Sequence, residues 1–102
     1  MIKVSAMYPY VEGQRFDVNY YCNSHIPMVQ KALGSALKGV TVDVGLGGAA
    51  PGTKPTFVAV ANLMFDSVES FQASFFPHVA DFSADAPNYT DTKAQVQVSE
   101  VR

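Results

Sequence analysis

Thr56-Phe57-Val58-Ala59-Val60-Ala61-Asn62-Leu63-Met64-Phe65 is the stretch on which the fold turns. Only Thr56 and Asn62 interrupt its apolar character, so it reads as a strand buried on both sides. Asp66 follows, with Glu69 three residues on, a capping pair for a helix in which Val68, Phe71, Phe75 and Phe76 fall at helical spacing. Pro77 must stop or bend that helix. A loop or short helical turn then carries the chain from His78 to Thr92, and Ala94, Val96 and Val98 alternate with Lys93, Gln95, Gln97 and Ser99 as a last strand.

Working back toward the start, the segment 47–55 (GGAAPGTKP) is a flexible hairpin-type connection, too short to separate domains. Residues 37–46 place Leu37, Val40, Val42, Val44 and Leu46 in a strand pattern. Residues 2–8 alternate Ile2, Val4, Ala6 and Tyr8 against Lys3, Ser5 and Met7, the first strand. Between these two strands Asp17 can N-cap a helix beginning at Val18. Pro27 has no N–H for the carbonyl of Asn23 and disfavours helical angles at Ile26, so the helix should break or kink near His25 and resume from Pro27 to Leu33, with Gly34 as its stop.

The order is βαββαβ, an α+β ferredoxin-like pattern: a four-stranded antiparallel sheet with two helices on one face, one domain over residues 1–102. Of 102 residues, 48% are hydrophobic and only 16% charged, with five tyrosines and seven phenylalanines. A chain this short buries about 60–70% of the surface its unfolded form exposes. The surplus calls for a second subunit or a lined cavity. Two sheets packed face to face would close a barrel-like homodimer, with Val42, Val44, Val58, Val60, Val96 and Val98 on the covered face.

Several classes are disfavoured. A formal charge of −2 lacks the basic footprint of a nucleic-acid binder. No apolar run has the length of a membrane span and the first residues lack a signal-peptide pattern, so a cytoplasmic protein with no membrane partner is expected. The single Cys22 allows no internal disulfide and reads as a packing residue. Gly45-Leu46-Gly47-Gly48 precedes no helix and is not a phosphate loop.

Acid/base chemistry falls first to the two histidines. Asp17, Tyr21 and His25 are spaced i, i+4, i+8 on the first helix; a phenol and an imidazole converging on a cavity can move a proton or polarise a carbonyl, though the tyrosines equally suit packing. Around His78, residues 55–92 hold five acids and no Lys or Arg. Asp81 or Asp85 can therefore hold one imidazole nitrogen, with Phe75 and Phe76 as an apolar wall; the same arrangement also ties down an ordinary surface histidine. Metal-ligand spacing is weak, and no metal is expected.

Phe16-Asp17-Val18-Asn19-Tyr20-Tyr21-Cys22-Asn23-Ser24-His25-Ile26-Pro27, with Phe65-Asp66-Ser67-Val68-Glu69-Ser70-Phe71 and Asp85-Ala86-Pro87-Asn88-Tyr89-Thr90-Asp91, resembles the EthD family, named for a component of ethyl tert-butyl ether degradation. The resemblance covers essentially the whole chain. It implies the dimeric α/β-barrel superfamily, whose members include cofactor-free monooxygenases, polyketide cyclases and muconolactone isomerase-like enzymes. Phe76-Pro77-His78-Val79 is similar to the cyclase branch, where a histidine acts on a polyketide. The haem-binding branches need a longer chain, so no cofactor is expected.

The resemblance implies a small catabolic enzyme or accessory protein that acts on ether, aromatic or polyketide-like compounds and binds a small hydrophobic molecule. His25 and His78 are the acid/base candidates; Tyr21 supplies a hydroxyl and Asp81 orients a histidine. Tyr20, Phe71, Phe75, Phe76, Phe82, Asn88 and Tyr89 are the expected ligand contacts. An oxygenase, cyclase or isomerase-like reaction stands against a non-catalytic carrier dimer assisting an oxygenase.

Overall fold

Alternation along Ile2–Pro9 and Phe57–Phe65 lets two central strands, β1 and β3, each present one side to the helices. In a computed structural model describing residues 1–102, Gly39–Val44 forms β2, Gln95–Glu100 forms β4, and the antiparallel sheet runs β2-β3-β1-β4. Its register pairs Val4 with Leu63 and with Val98, and Val40 with Leu63. Residues paired directly across an antiparallel ladder share a face. Val4, Tyr8, Ala59, Ala61, Leu63 and Phe65 therefore line the helix side, where all are buried.

The first helical arm is Val18–Tyr20 (α1), a π-helical turn over Tyr21–His25, and Ile26–Leu33 (α2). Asp17 caps it, its Oδ1 accepting the Tyr20 N–H at 3.0 Å. The arm does not break before Pro27. Ile26 keeps helical angles, φ −62° and ψ −43°, and gives its N–H to the Tyr21 carbonyl five residues back. A wider turn is the physical alternative to a break, because it relieves the clash between the proline ring and the carbonyl four residues earlier. The apolar side of α2 buries Ile26, Val29 and Leu33 against the sheet.

The second arm is longer than the sequence indicates. Val68–Phe75 (α3) is capped by Ser67, whose Oγ accepts the Ser70 N–H, and not by the Asp66–Glu69 pair; the exposed Asp66 instead faces Lys38 at 3.8 Å. Pro77 sits in a 3₁₀ turn, Phe76–His78, that redirects the chain into Val79–Asp85 (α4) and a closing 3₁₀ turn, Ala86–Asn88. Proline is tolerated in the first turn of a helix, so it re-aims the chain without ending it. No helix is long and apolar enough to cross a membrane.

The register also divides the six valines assigned to one sheet face. Val42, Val44, Val96 and Val98 lie on the helix side, toward the sheet edges; only Val58 and Val60 lie on the helix-free side. Their neighbours there are largely polar: Ser5, Thr41, Asp43, Gln97 and Ser99, with Asn62 donating to Asp43 at 2.9 Å. Periodicity assigns each strand two sides, but relating the sides of different strands requires the pairing register. On this basis Leu63→Ala should destabilise the protein by about 2–5 kcal/mol, and Gln97→Ala by no more than about 0.5 kcal/mol. Urea unfolding midpoints check both.

Candidate functional site

The widened turn presents His25 inward, 5% exposed, with its ring parallel to that of Tyr21 (14°, centroids 5.3 Å apart). From the end of the second arm, Asp85 meets it: Oδ2 lies 2.8 Å from His25 Nδ1. The other carboxylate oxygen, Oδ1, accepts the Tyr20 hydroxyl at 2.7 Å and the Asn88 amide at 2.9 Å. An ionised carboxylate only accepts, so Nδ1 carries the proton, and in the neutral ring Nε2 is the free acceptor. Nε2 has no protein partner and keeps contact with solvent.

The electrostatics follow from these bonds. Burial works to raise the Asp85 pKa, but hydrogen bonds from Asn88, His25 and Tyr20 outweigh it and hold the carboxyl below its ordinary value. Tyr20 is raised chiefly by donating to Asp85. Burial pushes Tyr21 well up, helped by Tyr8 and Tyr89, and burial followed by the Tyr8 bond does the same for Tyr89. Both stay neutral hydroxyl donors across the working pH range.

Around the His25–Asp85 pair stands an aromatic cluster. Tyr89 packs on His25 with centroids 4.7 Å apart, and its hydroxyl bonds that of Tyr8 at 2.7 Å. Phe16 touches Tyr8, Tyr21 and Tyr89. The approach to α1 is strapped to the second arm: Arg15 donates to the carbonyls of Pro87 and Asn88, and Thr90 Oγ1 donates to the Arg15 carbonyl at 2.8 Å. A cleft of about 120 Å³ lies outside Phe16, between Pro9, Tyr10, Val58 and Thr92.

The structure brings together His25, Tyr21, Tyr20, Asn88 and Tyr89 from the expected set. His78 stands apart, half-buried and stacked on Phe82, whose ring lies 5.8 Å from His78 and 6.4 Å from His25. Asp81 is exposed, and the carboxylate that orients a histidine is Asp85, acting on His25. Phe71 and Phe82 are buried and Phe75 is half-buried; all three pack among themselves, while Phe76 is 57% exposed. Tyr8, Arg15 and Phe16 had no chemical signal in the sequence: Tyr8 is the inward end of a strand alternation, and Arg15 and Phe16 acquire roles only by contact with residues 87–90. No three His, Cys, Asp or Glu side chains converge in a metal-binding group.

Fold and site together define a small ferredoxin-like α+β protein with a carboxylate-oriented histidine in an aromatic setting. A model of the EthD domain matches residues 13–93, which takes in every residue of the His25–Asp85 network, and the chain belongs to the EthD family. The chain is 50% identical to an EthD-like protein of known crystal structure from Ralstonia eutropha JMP134, covering 98% of this chain and 90% of that one with a TM-score of 0.94. It shares its fold with an ethyl tert-butyl ether degradation (EthD) family protein from Bacillus halodurans C-125, at 21% identity over 100% and 99% of the two chains and a TM-score of 0.75. No curated protein matches it significantly.

The depressed Asp85 pKa fixes a sign for pH dependence. Its folded-state value lies below the unfolded value of about 3.9, so its stabilisation is complete above that pH and is lost as pH falls through the folded pKa. Asp85→Asn should therefore cost stability at pH 7 and much less at pH 2–3. Chemical unfolding of both proteins at the two pH values measures the difference; equal gaps would contradict the assignment.

Proposed function

We propose that this EthD-family chain is a small catabolic enzyme that binds a small hydrophobic molecule and performs cofactor-free acid/base chemistry through His25. The observation that carries the reading is the 2.8 Å contact between His25 Nδ1 and Asp85 Oδ2. It fixes the tautomer that leaves Nε2 as the base, and the carboxylate stabilises the imidazolium that forms when Nε2 takes a proton. The reaction it suits is proton abstraction beside a carbonyl. Nε2 takes the proton, the C–H electron pair becomes a C=C bond, and the carbonyl oxygen takes the negative charge. Tyr21 and Tyr89, held neutral and in ring contact with His25, are the donors on hand for that oxygen. His78, with Phe82 between it and His25, serves in this reading as part of the apolar wall.

Aromatic ketones, quinones, lactones and branched ethers are the substrate classes to screen. With a compound that turns over, His25→Gln should lower kcat about a hundredfold or more while ligand binding is retained, and Asp85→Asn should lower it by a smaller factor. Turnover unchanged in His25→Gln overturns the assignment. Binding without turnover in the wild type favours the carrier reading.

The proposal includes a homodimer through the helix-free sheet face. Its support is that no helix covers this face, on which Met7, Val58, Val60 and Met64 stand among polar neighbours. Sedimentation at low micromolar concentration should give twice the 11.0 kDa chain mass; a monomer there removes this part of the proposal.

A further inference from the structure

We infer that Tyr20 and Asn88 are positioning residues for the His25 base: together they grip Asp85 Oδ1, and the carboxylate so oriented keeps the ring proton on Nδ1 and leaves Nε2 bare. Their consequence for turnover rests on the proposed function; their hold on the tautomer does not.

Asp85 is reached from both helical arms. Tyr20 donates its hydroxyl to Oδ1 at 2.7 Å and Asn88 donates its amide to the same oxygen at 2.9 Å, while Oδ2 lies 2.8 Å from His25 Nδ1. The Asn88 amide also stands 3.4 Å from the Tyr20 hydroxyl, so the two donors form one cluster on a single oxygen. The last torsion of an aspartate side chain is broad, and nothing in the residue itself aims its carboxylate. Two donors from different arms fix Oδ1, and that sets Oδ2 toward the ring.

Offsetting the burial of Asp85 does not by itself require these two side chains. Asp85 keeps 16% of its side-chain surface in solvent, Tyr20 is half-buried and Asn88 is exposed, so water can reach the carboxylate. A water would satisfy a lone pair and leave the carboxylate free to turn. The donors present are held instead. The Tyr20 N–H is taken by Asp17 Oδ1 at 3.0 Å in the cap of the first arm, and the Asn88 carbonyl accepts from Arg15 at 3.3 Å. Apart from His25, neither donor to Asp85 is a cation, so the carboxylate's charge stays available to the imidazolium that forms when Nε2 takes a proton. Tyr20 and Asn88, expected from the sequence as ligand contacts, are in this role partners of the base, and the two roles separate kinetically.

Nitrogen-15 NMR of the histidine-labelled full chain, at mildly alkaline pH where the imidazole is neutral, tests the assignment, since protonated and bare ring nitrogens resonate far apart. The wild type is expected to carry its His25 proton on Nδ1. In the double variant Tyr20→Phe/Asn88→Ala the preference for that tautomer should fall at least about fivefold. With a compound that turns over, kcat of the double variant should fall by a similar factor while KM stays within about twofold. A wild-type tautomer ratio in the double variant overturns the inference, as does a raised KM with kcat unchanged. Should the double variant fail to fold, Tyr20→Phe alone, which keeps the ring, should lower the preference about twofold, and an unchanged ratio there is the same refutation. Nδ1–H in both proteins alongside His25-dependent turnover would sink this inference and leave the His25 reading intact; a lost preference without such turnover would do the reverse. A wild type with its proton on Nε2 overturns both.

Discussion

The Asp85 carboxylate joins the two helical arms of the fold on the helix side of the sheet. One oxygen holds His25 from the first helical arm; the other holds Tyr20 from that arm and Asn88 from its own. A partly buried carboxylate is tolerated only when its lone pairs are engaged, and three donors engage these. The same bonds that offset its desolvation set the tautomer of the only buried histidine. The structural demand and the proposed chemistry thus fall on one side chain.

Geometry for that meeting comes from a proline. Pro27 removes a hydrogen bond to the Asn23 carbonyl, and the chain widens its turn over Tyr21–His25 in place of breaking. Such bulges are commonly found at functional sites because they rotate side chains away from the regular helical stripe while the axis continues. Here α2 still packs Ile26, Val29 and Leu33 on the sheet, and His25 stacks on Tyr21. Arg15 and Thr90 then pin the approach to this arm against residues 87–90, beside the aromatic cluster.

Much of this was readable in the residues. The strand alternations, the Asp17 cap and the family resemblance all hold, because each is a local property or a run of adjacent residues, whereas the break expected near His25 is a continuous widened turn with Ile26 helical. The helix cap at Ser67 and the helix Val79–Asp85 were not: Asp66 and Ser67 are both good caps, and the segment after Pro77 has no strong apolar period to distinguish helix from loop. The sidedness of the valines was equally hidden, since it depends on which residues pair across strands.

The amino-acid sequence by itself determined the order of elements, the placing of both helical arms on one face and the candidacy of two histidines. Only the tertiary structure decided which histidine has a carboxylate and which carboxylate it is. Asp81 and Asp85 lie about one helical turn apart, roughly 6 Å along the axis, and that distance leaves one in solvent and sets the other against a ring sixty residues away in the chain. Local periodicity carries no information about such a meeting. It is fixed by how Phe82, Tyr89 and the widened turn pack together, which is a property of the assembled core.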